Sequence, residues 1–298
     1  MASPTERDRM PVFTSRIIRS AVIVFVLFLC ADAQAQTHRV IQHRNVDYVP
    51  QADYRDGKDR LDLYIPAGLT NAPVILSLHG GVLMAGDRSE ETFVGQRFAA
   101  AGYLTVIPSY RLSPQVSHPA HIQDVAAAFA WVKQNVRQFG GDPDRIMVIG
   151  HSAGAYLAML LAADPRYLAA HQLSVHDIKG VVPVSGFFWV DKPGVGPDRP
   201  LEIWGTDRKT WIEASPAHYL RADLPPVLLI DTDGDEDWRQ QQNVDFAAAL
   251  RAAGDKDVAT HKVLGRTHMS VWTDMSEGAS EETSSAILKF AARVLAAP

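Results

Sequence analysis

Short β-type runs at residues 74–78, 104–107, 146–149, 227–230 and 258–264 alternate with longer stretches at 91–101, 122–139, 153–163, 240–253 and 281–295. The longer stretches carry apolar residues three and four apart, the period of an amphipathic helix. Several of the short runs are apolar throughout, so neither face can meet water. A parallel sheet covered by helices on both faces is the arrangement that satisfies both element types. The expected class is therefore α/β, with a mostly parallel central sheet. Two edge strands are expected upstream, near 46–49 and 61–65, joined by the polar, turn-prone stretch 53–59. Residues 181–184 read as another strand, although Pro183 has no N–H to give a ladder. From Phe187 to Pro225 the periodicity is lost and Pro, Gly and Trp accumulate. That segment is expected to be a short cap excursion over the sheet, near the strand ends where ligands of open α/β folds bind.

The 298 residues are 47% hydrophobic and 21% charged, enough for one large core, and no linker, repeat or low-complexity run divides them. Residues 1–35 are expected to be a signal peptide. Arg16 and Arg19 precede the apolar run 21–30, and Ala33-Gln34-Ala35 supplies small residues for cleavage near Ala35. The run is short for a membrane span, which needs about 20 apolar residues. Glu6 and Asp8 are unusual in such a segment and leave Met10 as an alternative start. The remainder, 36–298, is expected to be a single catalytic domain, secreted or periplasmic, without stable membrane association. Cys30 is the sole cysteine and falls in the segment expected to be removed, which leaves no disulfide and no thiolate metal site. Removing residues 1–35 moves the formal charge from −5 to −6. A mildly acidic chain without a basic cluster is a poor candidate for nucleic-acid binding.

The strand expected at 146–149 runs straight into Gly150-His151-Ser152-Ala153-Gly154, and a helix is expected to follow at once. On a strand-turn-helix this pentapeptide makes a nucleophile elbow, in which glycines relieve crowding around a projecting serine. Ser152 is the candidate nucleophile. A serine hydroxyl is weak at neutral pH and needs a base, itself oriented by a carboxylate. Of the downstream histidines, His268 follows the last strand in the loop 265–269, at its carboxyl end. His261 lies within the strand pattern and reads as structural, as do His118, His121 and His151. The acid is expected after the strand 227–230, where Asp231, Asp233, Asp235, Glu236 and Asp237 crowd together. Their alternation is a poor calcium loop, since Glu236 replaces the turn glycine and Gln242 the closing glutamate. Spacing leaves both Asp231 and Asp235 open. The third element of the site is Leu78-His79-Gly80-Gly81-Val82 at the end of an earlier strand, whose glycine amides, with that of Ala153, can converge on a tetrahedral oxyanion.

His79-Gly80-Gly81 with Gly86-Asp87-Arg88, Ser109-Tyr110-Arg111-Leu112-Ser113-Pro114, Gly140-Gly141-Asp142-Pro143 and Gly150-His151-Ser152-Ala153-Gly154 together resemble the esterase and lipase family related to hormone-sensitive lipase. The run Asp164-Pro165-Arg166-Tyr167-Leu168 resembles its carboxylesterase and arylformamidase-like branch more closely. The resemblance extends from about Val46 to the C-terminus. It implies an α/β-hydrolase fold, a serine esterase of Ser-His-Asp type and no metal or organic cofactor. It also places the acid nine residues after Pro226, at Asp235. The sequence departs from the family at Thr232, where glycine is usual, and at Val82, where many relatives have a third glycine or an aromatic residue. The expected reaction is hydrolysis of small to medium acyl or aryl esters through an acyl-enzyme. The alternative is an arylformamidase or other amide hydrolase using the same residues, and a third is a non-catalytic binding module on the same scaffold. Leu83, Met84, Phe187, Phe188, Trp189 and Trp272 are the expected substrate-pocket residues, because aromatic walls suit an apolar or aryl group. The physiological ester and the oligomeric state are not encoded in any of these motifs.

Overall fold

Eight strands make one sheet in the order β1-β2-β4-β3-β5-β6-β7-β8. They are β1 (Val40–Asp47), β2 (Arg60–Pro66), β3 (Ala72–Leu78), β4 (Leu104–Pro108), β5 (Gly141–His151), β6 (Ile178–Val184), β7 (Val227–Gly234) and β8 (Val258–Thr267). The computed structural model describes residues 37–51, 54, 56–192, 201–277 and 281–297. They fall within one compact unit running from Ala35 to Pro298. The expected signal peptide, residues 1–35, lies outside the described residues.

The strands β1, β2 and β4 pair antiparallel, and every other pairing is parallel. Nine α-helices are described: α1 (Thr92–Ala100), α2 (Ala120–Asn135), α3 (Ala153–Ala163), α4 (Pro165–Ala169), α5 (Leu201–Trp204), α6 (Arg208–Glu213), α7 (Asp237–Ala252), α8 (Ser270–Thr273) and α9 (Glu282–Val294). No helix among the described residues is long and apolar enough to cross a membrane.

Successive side chains of a strand point to opposite faces, and the core divides accordingly. Val74, Leu76 and Leu78 of β3 pack on one side with residues of α2 and α3, while Ile75 packs on the other with residues of α1 and α9. In β5, Ile146 and Val148 join the first layer and Met147 and Ile149 the second. The all-apolar runs of the sequence are thus strands buried on both faces. Helix α3 is buried from end to end. It has no solvent face because it lies between the sheet and the β6–β7 connection.

Pro183 lies inside β6 after all. It stands opposite Gly150 of β5, and on the other side β6 pairs β7 only at Val181↔Val227 and Val184↔Ile230. The proline occupies the gap in that second ladder, where its missing donor is not needed.

Candidate active site

The four loops singled out from the sequence leave the sheet at the carboxyl ends of β3, β5, β7 and β8. β5 ends at His151, and Ser152 turns the chain into α3 with φ 54° and ψ −114°. A non-glycine residue held at positive φ is strained, and the flanking glycines show what imposes the turn. A Cβ on Gly150 would sit 2.5 Å from the Gly154 carbonyl carbon, and one on Gly154 would sit 2.0 Å from the Leu78 carbonyl oxygen. The Ser152 N–H donates to the Val184 carbonyl of the neighbouring strand at 2.9 Å. The serine is thereby fixed at the strand end, 8% exposed.

The Ser152 hydroxyl donates to Nε2 of His268 at 3.0 Å, and Nδ1 of His268 donates to Oδ1 of Asp235 at 2.6 Å. This assignment puts the ring proton on Nδ1 and leaves Nε2 as the acceptor facing the serine. The Asp235 side chain is fully shielded from solvent. Its second oxygen accepts from the Ser185 hydroxyl at 2.7 Å and from the Thr232 N–H at 3.3 Å. Burial pushes this carboxyl up, but the hydrogen bonds from His268 and Ser185 and the electrostatic pull of the imidazole outweigh it, and the group is held below the usual carboxylate range.

Asp231 faces a different partner. Its carboxylate pairs with Lys262 of β8 at 2.6 Å. Asp233 accepts from the Gly265 N–H at 2.7 Å. The alternating carboxylates therefore serve three separate partners and do not surround a common point. Asp235, Glu236 and His268 offer three potential ligand atoms within 4.8 Å of one another. There too the Asp235 and His268 atoms face each other in a hydrogen bond.

The glycine loop after β3 approaches from the other side. A Cβ on Gly80 would lie 3.2 Å from the His151 carbonyl oxygen and 3.4 Å from Cβ of Ser152, so the main chain passes directly beside the nucleophile position. Gly81 has φ 105°, and a Cβ there would lie 2.2 Å from the Ala85 carbonyl oxygen. The N–H groups of Gly80 and Gly81 donate to no protein acceptor among the described residues. Ala153, first residue of α3, likewise has an N–H beyond the reach of intrahelical bonding.

A polar network secures that loop. Oδ2 of Asp87 accepts from the Ser109 hydroxyl at 2.8 Å and from Lys58 Nζ at 3.0 Å. Arg88 reaches Asp62 of β2 at 3.2 Å. Burial works against the Asp87 charge, but hydrogen bonds from Ser89 and Ser109 hold its carboxyl far below the usual range. His79 stacks on Tyr110 with centroids 4.1 Å apart, and the Tyr110 hydroxyl donates to the His79 carbonyl at 2.7 Å. Burial drives His79 down to about 4, so its ring is neutral. Thus the Gly-Asp-Arg and Ser-Tyr motifs act as a frame for the glycine amides.

The cavity beside Ser152 encloses about 310 Å³. Its walls include Gly80, Gly81, Val82, Glu91, Phe93, His268 and Trp272. Of the six expected pocket residues, only Trp272 is among them. Phe187 stacks on Tyr156 of α3 at 4.7 Å, Phe188 stacks on Phe246 of α7 at 3.9 Å, and Trp189 packs edge-on against the same Phe246. These aromatics of the β6–β7 excursion are core side chains, because α3 and α7 both bury apolar faces beneath it. Leu83 is buried in the core and Met84 faces solvent, so neither lines the cavity. Val82, a residue noted only as a departure from the family, stands in the wall with φ 56°.

Three further residues escaped the sequence reading. Ser185, with φ 50°, follows β6 and anchors Asp235. Arg239 of α7 donates to the Ser185 carbonyl at 3.1 Å and lies 3.9 Å from Asp235. His151, read as structural, has Nε2 2.7 Å from the His268 carbonyl, to which it donates, and stacks on Trp272 at 5.6 Å. Burial takes His151 down to about 3, with the neighbouring His268 acting in the same direction. A serine just after a strand end is the only signal that could have pointed to Ser185.

The mostly parallel sheet, the elbow after β5 and the acid and histidine loops after β7 and β8 define an α/β-hydrolase fold. Comparison with known proteins agrees. The BD-FAE family model matches residues 61–191. Esterase LipQ of Mycobacterium tuberculosis is 29% identical over 66% of this chain and 50% of its own length. Esterase LipC of the same organism is 32% identical over 66% and 53% respectively. The chain spans about half the length of these relatives. Among solved structures, esterase B from Lactobacillus rhamnosis superposes with a TM-score of 0.70 at 22% identity, covering 86% of each chain. The hyperthermophilic esterase from Pyrobaculum calidifontis gives 0.67 at 25% identity, over 87% of this chain and 85% of its own. The chain is thus similar to α/β-hydrolase esterases over residues 61–191 and over about two thirds of its own length.

Proposed function

We propose that the protein hydrolyses carboxylic esters of small to medium acyl or aryl groups through a serine acyl-enzyme. The observation that carries the reading is the unbroken hydrogen-bond chain from Ser152 through His268 to Asp235, with the unpaired Gly80 and Gly81 amides beside the serine. In this mechanism Ser152 attacks the ester carbonyl while Nε2 of His268 takes its proton. Asp235 holds the ring in the reactive tautomer and stabilises the imidazolium that forms. The carbonyl oxygen becomes an oxyanion and accepts from the amides of Gly80, Gly81 and Ala153, where loss of one donor costs about 3 to 4 kcal/mol. His268 then gives the proton to the departing alkoxide, and the C–O bond breaks to leave acyl-Ser152. Water, deprotonated by the same histidine, releases the acid and restores Ser152. These steps need no group beyond the chain and water.

Short-chain nitrophenyl esters test the reading directly. Turnover by the wild type that disappears in Ser152→Ala is expected, and a broad panel left untouched by the wild type would overturn it. The reading includes export, with residues 1–35 removed. N-terminal sequencing of protein secreted by a bacterial host should begin near Gln36; a start at Met10 in exported material would contradict it.

A further inference from the structure

Glu91 lies in the wall of the catalytic cavity yet takes no part in the mechanism above. It is 7% exposed. Oε2 accepts from the Trp272 indole N–H at 2.7 Å, and that is the only hydrogen bond to its carboxyl among the described residues. Trp272 in turn stacks on His151, which holds the His268 carbonyl, so the carboxyl is built into the same frame as the base. A buried carboxylate is ordinarily compensated by a cation. Here no Lys or Arg lines the cavity, and the neighbouring Glu90 adds a second acidic side chain to its wall. Burial, with only the Trp272 hydrogen bond against it, pushes the Glu91 carboxyl up to about 8. Phe93 and Trp272 supply aromatic surface to the same cavity, and aromatic faces also favour cations.

We propose that Glu91 is a specificity-determining residue that admits, beside the scissile carbonyl, a substrate group carrying a positive charge of the ammonium type. The proposal rests on the esterase reading of Ser152. It deepens that reading by naming the charge of the group that enters the cavity. With no cation beside it the buried carboxyl keeps its proton; a bound ammonium group would favour release of that proton to solvent and pair with the carboxylate, which a neutral alkyl group of the same shape cannot do. The preference is therefore one of charge and not of size.

The test uses isosteric nitrophenyl and alkyl esters in which a trimethylammonio group replaces a tert-butyl group, placed on the acyl side in one series and on the alcohol side in another. A third series carries a hydroxyl in the same place. For the wild type, kcat/KM in one series should favour the trimethylammonio ester by at least about tenfold over its tert-butyl partner. In Glu91→Gln that ratio should fall toward one. Equal rates for the isosteric pairs in both series, a preference for tert-butyl, or an equal gain from the hydroxyl would overturn the proposal while leaving ester hydrolysis intact. Because the wild-type pairs alone carry the comparison, poor folding of the variant would not rescue it. Failure of the wild type to hydrolyse any of these esters would overturn the proposal together with the reading of Ser152.

Discussion

Asp235 is the residue on which the mechanism leans most. Its carboxylate keeps His268 in the tautomer whose Nε2 accepts the serine proton, and an amide in its place can present its NH₂ to the ring and favour the opposite tautomer. Asp235→Asn should lower kcat by about four orders of magnitude with the fold retained, whereas Asp231→Asn, whose carboxylate pairs with Lys262, should leave kcat within about threefold. Steady-state kinetics of the pair, with circular dichroism, checks both. Ser185 gives a finer test. Its hydroxyl helps hold the Asp235 carboxyl down, so Ser185→Ala should raise that carboxyl and move the acidic limb of the kcat/KM profile to higher pH, with a loss of about tenfold at the optimum. Spacing had left two candidate acids, and only the family resemblance singled one out. The structure shows why spacing could not choose: the two side chains differ in the partner across the sheet edge, and that partner comes from β8 in one case and from β6 and the histidine loop in the other. The departure at Thr232 has a physical account too. Its N–H contacts Asp235 and its hydroxyl donates to the Arg266 carbonyl at 2.7 Å, tying the acid loop to the histidine loop.

At the scale of elements, the alternation of short runs and helical stretches foretold the strands and major helices, because burial on both faces writes itself into composition. The pocket was not legible in the same way. Phe187, Phe188 and Trp189 follow β6 at the point where a ligand was expected, but their facing depends on how the connection packs over α3 and α7, which no local period encodes. The contact between elbow and glycine loop is the element-level feature most open to test. Gly154→Ala places a Cβ 2.0 Å from the Leu78 carbonyl oxygen, with backbone on both sides and nothing flexible to give way. It should cost more than about 3 kcal/mol in denaturant unfolding and abolish activity. Gly68→Ala is the matched control. At φ 82° it meets open space, so only backbone strain remains, about 1 to 2 kcal/mol.

Across the molecule, several buried or half-buried histidines are held neutral. Burial takes His79, His118 and His121 to about 4 and His151 to about 3. In the unfolded chain these rings bind protons near the ordinary histidine value of about 6.5. Unfolding between about pH 4 and 6.5 therefore takes up protons, and stability should fall as pH drops through that window. Glu91 acts in the opposite sense. Its raised carboxyl, about 8, keeps a proton in the fold that the unfolded chain releases, so it costs stability as pH rises from about 4.5 to 8. The histidines outnumber it, and the net slope on the acid side should be positive, at about 1.4 kcal/mol per pH unit for each net proton taken up. Urea unfolding from pH 7 to 4 measures it, and a flat or inverted profile would mean that these rings are not held neutral.

The most direct measurement on the central claim is intact-mass and peptide analysis after reaction with a fluorophosphonate probe. The account predicts one adduct, on Ser152 in the peptide containing Gly150-His151-Ser152-Ala153-Gly154, formed slowly in Asp235→Asn and absent from Ser152→Ala. An adduct on another residue, or ester turnover surviving in Ser152→Ala, would contradict it.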